Sequence, residues 1–337
     1  MCTSIKGNVP GSLWAGCNRG LAILALLASL NLCAQDAGIG ARAAQLRALL
    51  RDTPRLLLEE VPLAPRMANA ASLGVVSSVA VDGRGTVYIL QRGDAADPVI
   101  VLNTAGRVLR TWGKGMYRVP HSIRIDPEGN IWTVDAGSSI LLKFTPEGKK
   151  LEEISVGELA SGKDCLTPVL CGTTDVAFGP DGSLFVSDGY GNARILEYTA
   201  SGRRVRQWGS KGAGPGQFQI PHGIATDGKV LYVADRTNSR VQRFDLEGRY
   251  LGEWTHLGRP FALQFRGGTL WVSGMTLEAQ GASPWLLKVD PATGKVLGQA
   301  ESPGPHALDI NDAGEAFATG CCGGKNPMGF FWLRDAH

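Results

Sequence analysis

An all-β, six-bladed β-propeller is the fold this sequence predicts, and two observations carry it. The first is a pattern repeated almost back to back between Phe185 and Phe244. Each copy has a short apolar run ending in Asp (Leu184 to Asp188, Leu231 to Asp235) and a turn with Asn (Asn192, Asn238). An Arg follows two residues on (Arg194, Arg240), then an alternating run ending in an aromatic (Tyr198, Phe244). Apolar runs of period two, broken by Gly, Asn and Asp turns, are the grammar of β-hairpins. The second observation is that the hairpin returns about every forty to fifty residues, the mark of a radial repeat.

The chain ahead of the repeats divides in three. Residues 1–34 read as a secretory signal: Lys6 and Arg19 make a basic leader, Leu21 to Leu32 an apolar run too short to span a bilayer comfortably. The protein is therefore expected to be secreted or periplasmic. A lipid anchor on Cys33 is the alternative, and Leu32 before it is a poor small-residue site. Residues 35–53, rich in Ala, Leu and Arg, read as a helix or tether. Leu57 to Leu63 reads as a strand that completes the last blade and closes the ring, which removes the exposed sheet edges. The propeller is thus placed at 54–337.

Six repeats follow, each with room for four antiparallel strands. They begin at Ser77, Val119, Thr173, Ile220, Arg259 and Gly304. The segments DPEG, GPDG and NDAG are tight turns between first and second strands. The fifth repeat lacks the turn Asn and carries an inserted loop, and the sixth is degenerate. Gly209 to Gly216 lacks the Gly-Lys-Ser/Thr of a phosphate loop and opens no helix, so it reads as an interblade connector. Of the 7 Cys, Cys165 and Cys171 lie six apart in one loop and suit a local disulfide, whereas Cys321 and Cys322 are adjacent and do not. A net charge of +3 leaves no nucleic-acid footprint, and no segment beyond the leader approaches the length of a membrane span.

The chemistry is carried by histidines in one register. The chain has only 5 His, and three follow Pro at the start of an innermost strand: His121, His222 and His306. They belong to blades two, four and six, so they would approach the central channel from roughly 120° apart. Three neutral imidazoles with one open position are a catalytic-type zinc geometry. Pro-His as a mere repeat consensus is the bland alternative. Against it, blades three and five carry Thr174 and Phe261 at that place. Arg92, Tyr190 and Arg236 lie just past the second strand of blades one, three and four, toward the same channel end. A guanidinium fork matches a carboxylate substrate. A phenol flanked by cations and a metal is acidified and can act as a base. Arg194 and Arg240 are expected in salt bridges to the neighbouring Asp. Asp135, Asp188 and Asp235 recur in register as turn-cappers.

The repeats resemble NHL repeats, and their combination resembles the lyase half of the peptide-amidating enzymes, peptidyl-α-hydroxyglycine α-amidating lyase. The motifs are QRGD at 91–94, VPHSIRID at 119–126, FVSDGYGNARI at 185–195, GPGQFQIPHGIA at 214–225 and VADRTNSR at 233–240. The resemblance covers Val75 to Ala318. It implies zinc on His121, His222 and His306, catalytic Arg92 and Arg236, Tyr190 as base, and a calcium held partly by the backbone carbonyls of Val79 and Ile123. The chain departs from the family in two places. Ala307 stands where the family has an acidic calcium ligand, which leaves calcium open, and Gly191 where it has a disulfide cysteine. Asp309 is read as the counterpart of the strand-end Asp126. The implied reaction splits a carbinolamide, a small molecule or peptide with an α-hydroxyglycine-like end, into an amide and glyoxylate, and the protein is expected to work as a monomer. Two rival readings stay open: a non-catalytic NHL propeller binding protein, peptide or glycan, and a calcium-dependent lactonase or esterase.

Overall fold

The computed structural model describes residues 40–61, 73–157, 159, 165–276, 283–320 and 329–336. The expected leader, the Cys321-Cys322 pair and most of the insertion in blade five lie outside the described residues. Within them the short alternating runs form six four-stranded sheets, every strand antiparallel to its neighbour. Five blades use four consecutive strands. The innermost are Val76–Val81, Pro120–Ile125, Asp175–Phe178, Pro221–Thr226 and Arg259–Arg266. The sixth begins with Leu308–Ile310 and takes its outermost strand from the other end of the fold. Leu58–Val61 pairs antiparallel with Phe330–Asp335, Leu58 opposite Asp335 and Val61 opposite Trp332. A helix over residues 40–52 precedes that strand. Its Leu46 packs into the apolar cluster of Trp254, Leu257 and Trp285. Among the described residues no helix is long and apolar enough to cross a membrane.

The core is divided rather than central. Six apolar clusters lie one at each interface between adjacent blades, because each sheet exposes an apolar face to both neighbours and the axis is left polar. One contact recurs. A Trp near the end of an outermost strand (Trp112, Trp208, Trp254) lies against a turn glycine of the next blade (Gly148, Gly248, Gly294). These glycines have φ of 91°, 86° and 76°, and a Cβ on any of them would come within 3 Å of the indole. Only glycine meets both demands.

The recurring aspartates cap turns, as expected. Asp135 accepts from the backbone N–H of Arg118, Val119 and Ser138. Asp188 and Asp235 hold Arg194 and Arg240 at 2.8 Å and also accept from Asn192 and Asn238. The Gly-rich connector is more ordered than a plain interblade loop. Ser210–Lys211 runs parallel to Gln217–Phe218, and the Gln217 side chain accepts from the Gly214 N–H. Cys165 and Cys171 form a disulfide.

Candidate functional site

His121, His222 and His306 each enter the channel at the start of an innermost strand, and each is only 2% exposed. Their ligand atoms all lie within 4.8 Å of one another, and the ring centroids are 5.0, 4.9 and 5.0 Å apart. The tautomer is set by the backbone. Nδ1 of His121 lies 2.6 Å from the carbonyl oxygen of Thr174, that of His222 2.9 Å from Phe261, that of His306 2.7 Å from Ser77. A carbonyl can only accept, so each Nδ1 carries the proton and each Nε2 presents a lone pair. Burial, first of all, pushes His121 and His222 well below the ordinary histidine range. The neighbouring imidazoles and the guanidiniums of Arg92 and Arg236 push the same way.

The acceptors extend the pattern. Ser77, Thr174 and Phe261 occupy in blades one, three and five the register that histidine occupies in blades two, four and six. Every ring is thus oriented by the next blade's main chain, which requires no particular side chain there. Sequence reasoning noticed Thr174 and Phe261 as positions lacking histidine and missed that they hold the histidines.

Tyr190, also 2% exposed, places its hydroxyl 2.9 Å from Nε2 of His121 and 3.0 Å from Nε2 of His222. Arg236 lies over the rings of Tyr190 and Phe261, its guanidinium carbon 5.7 and 5.0 Å from their centroids. Arg92 reaches across from blade one and donates from Nε to the Pro120 carbonyl at 2.8 Å, beside His121. The structure therefore brings together His121, His222, His306, Tyr190, Arg92 and Arg236. Three neutral imidazole nitrogens with outer hydrogen-bond partners, and an oxygen facing two of them, are a donor set that fits zinc. Beside Tyr190 a pocket opens between blades three and four, walled by Leu166, Gly191, Ala193, Phe218 and Ile220 with Lys211 among its lining.

Val79 and Ile123 lie in the innermost strands of blades one and two, next to the channel. Asp309 differs from its expected place. It sits inside the innermost strand of blade six, three residues past His306. Arg124 is likewise three past His121, so the counterpart of Asp309 is Arg124 rather than Asp126. Counting three residues on from each histidine would have found it.

The fold and this site define a class first: a six-bladed NHL-repeat propeller with a three-histidine channel. The NHL repeat pattern matches residues 218–244. Within that class the chain is similar to the peptide-amidating enzymes. It is 31% identical over 259 residues to peptidylglycine alpha-amidating monooxygenase of Rattus norvegicus, covering 66% of this chain and 26% of that protein. It therefore spans about a quarter of that relative's length. It is 30% identical over 237 residues to a probable peptidyl-alpha-hydroxyglycine alpha-amidating lyase of Caenorhabditis elegans, covering 66% of each. Virginiamycin B lyase of Staphylococcus aureus shares the fold at a TM-score of 0.52 and 15% identity, over 82% of this chain and 98% of that one.

Proposed function

We propose that the protein is an exported, zinc-dependent carbon–nitrogen lyase that cleaves a peptidyl or acyl α-hydroxyglycine to an amide and glyoxylate, and that it does so as a monomer. The observation that carries this is the convergence of three imidazoles, two of whose Nε2 atoms lie 2.9 and 3.0 Å from the Tyr190 hydroxyl, with Arg92 and Arg236 beside them. Relatives named as amidating lyases support the substrate class. The apolar leader at 1–34 supports export.

A zinc ion on His121, His222 and His306 would supply Lewis-acid polarisation of the substrate hydroxyl. The remaining steps belong to side chains. Arg92 and Arg236 bind the substrate carboxylate and fix the carbinol carbon. Tyr190, as phenolate, takes the hydroxyl proton. The O–H electron pair becomes the C=O of glyoxylate, the C–N bond breaks, and the amide nitrogen recovers a proton from Tyr190. The acyl group rests in the pocket beside Tyr190.

The test is glyoxylate release from an N-acyl-α-hydroxyglycine, with zinc quantified in the same preparation. Tyr190→Phe should cut release by about a hundredfold or more while leaving zinc unchanged. A fully active Phe variant would remove Tyr190 from the reaction. Stoichiometric zinc without release would mean a different substrate, and neither would leave a binding propeller.

A further inference from the structure

Three residues along the strands from the imidazole layer, the channel is crossed by one guanidinium. The six positions at this level are Ala80, Arg124, Ala177, Ala225, Gln264 and Asp309. The Arg124 side chain is 9% exposed and its partner Asp175 5%. Arg124 donates from Nε to Asp175 Oδ1 at 2.9 Å. One terminal nitrogen donates to Asp175 Oδ2 at 2.5 Å and the Leu263 carbonyl at 3.3 Å. The other donates to Gln264 Oε1 and the Leu308 carbonyl, both at 3.0 Å. A guanidinium has five N–H donors, and all five are occupied. Asp175 in turn accepts from Ser122 Oγ and the Ile224 N–H, and Asp309, whose charge faces Arg124, accepts from the Val81 N–H. Every blade is tied into this one knot.

We propose that Arg124 is the axial cation of the propeller, a side chain standing where the resemblance implies a calcium ion. Calcium takes six to eight oxygens, carboxylates among them. One step along from the histidines the chain offers Ser78, Ser122, Asp175, Gly223, Ala262 and Ala307, a single carboxylate, and both its oxygens are held by Arg124. The carbonyls of Leu263 and Leu308 are turned to the guanidinium as well. The residues present therefore do not fit calcium, and the carbonyls of Val79 and Ile123 have no acidic partner at the position of Ala307. The pair also positions the first histidine. Asp175 follows Thr174, which accepts from His121, and it binds the hydroxyl of Ser122, the residue after His121.

This holds whether or not the imidazole site is a lyase centre, so its test reads calcium and stability rather than turnover. The desalted protein should retain no calcium by elemental analysis, and millimolar calcium chloride should not move its Tm. Arg124→Ala should melt lower by about 10 °C, as expected for a broken buried ion pair, and calcium should restore part of the loss. Arg124→Lys, which keeps the charge with fewer donors, should melt in between and ignore calcium. Calcium retained by the unmodified protein, or a calcium-dependent Tm in it, would overturn the proposal. So would an Arg124→Ala variant that melts normally, or one whose loss calcium does not relieve. If Arg124→Ala does not fold, Arg124→Lys decides: a folded, calcium-indifferent variant supports the assignment, and one that folds only with calcium refutes it.

Discussion

The imidazole layer takes a ring from each even blade and a carbonyl from each odd blade, so it keeps a threefold alternation. The guanidinium layer, three residues further along the same strands, takes one Arg from blade two and leaves Ala in blades one, three and four. The difference has a physical root. Backbone carbonyls recur in every repeat whatever the side chain, so a ligand set can be built by repetition. The axis holds one guanidinium, which takes a bidentate carboxylate from a single neighbour, Asp175, and faces a second, Asp309.

The comparison can be broken at either layer. The largest effect is expected from His222→Ala. It removes one of three equivalent rings and should abolish zinc binding, with glyoxylate release falling by about a thousandfold. Asp175→Asn strikes the asymmetric layer instead. Arg124 loses the carboxylate that it grips through both oxygens, and the urea unfolding free energy should fall by about 3–5 kcal/mol. Zinc affinity should weaken with it, because the Thr174 carbonyl loses its anchor. Acid should reveal the histidines directly. His121 and His222 are depressed by burial, so at mildly acidic pH the unfolded chain binds protons that the folded one refuses. The stability they contribute is complete above the unfolded value, about 6.5, and is lost as pH falls below it. The urea midpoint of metal-free protein should therefore drop between about pH 7.5 and pH 5.5, and His222→Ala should drop less. The smallest effect is expected from Phe261→Leu. It keeps the carbonyl that orients His222 but removes the ring under Arg236, so KM should rise about fivefold with zinc content unchanged.

What could be read in the sequence follows the same division. Hairpin periodicity announced the blades, and Pro-His at one register announced the three rings. The turn aspartates and their arginines were legible because side chains near in sequence satisfy one another. Arg124 was not, since its partners lie 51, 139, 140 and 184 residues away and share no motif. Asp309 was misaligned for another reason. The sixth repeat keeps the four residues from histidine to strand end seen in blades two and four, but Asn311 stands at the turn position that Asp126 and Asp227 fill, so the nearby Asp309 reads in its place. The carbonyl acceptors were invisible because a main-chain role leaves no trace in residue type.

The strand Leu58–Val61 lies early in the chain, and its partner Phe330–Asp335 lies late. During synthesis on a ribosome the early strand emerges first and waits, its edge unsatisfied, until the strand Phe330–Asp335 has been made. Blade six, which carries His306, is finished only when that late strand arrives. Assembly of the three-ring site therefore waits on the closing of the ring. A chain truncated before residue 330 would expose two open sheet edges, invite aggregation, and never present the complete trio.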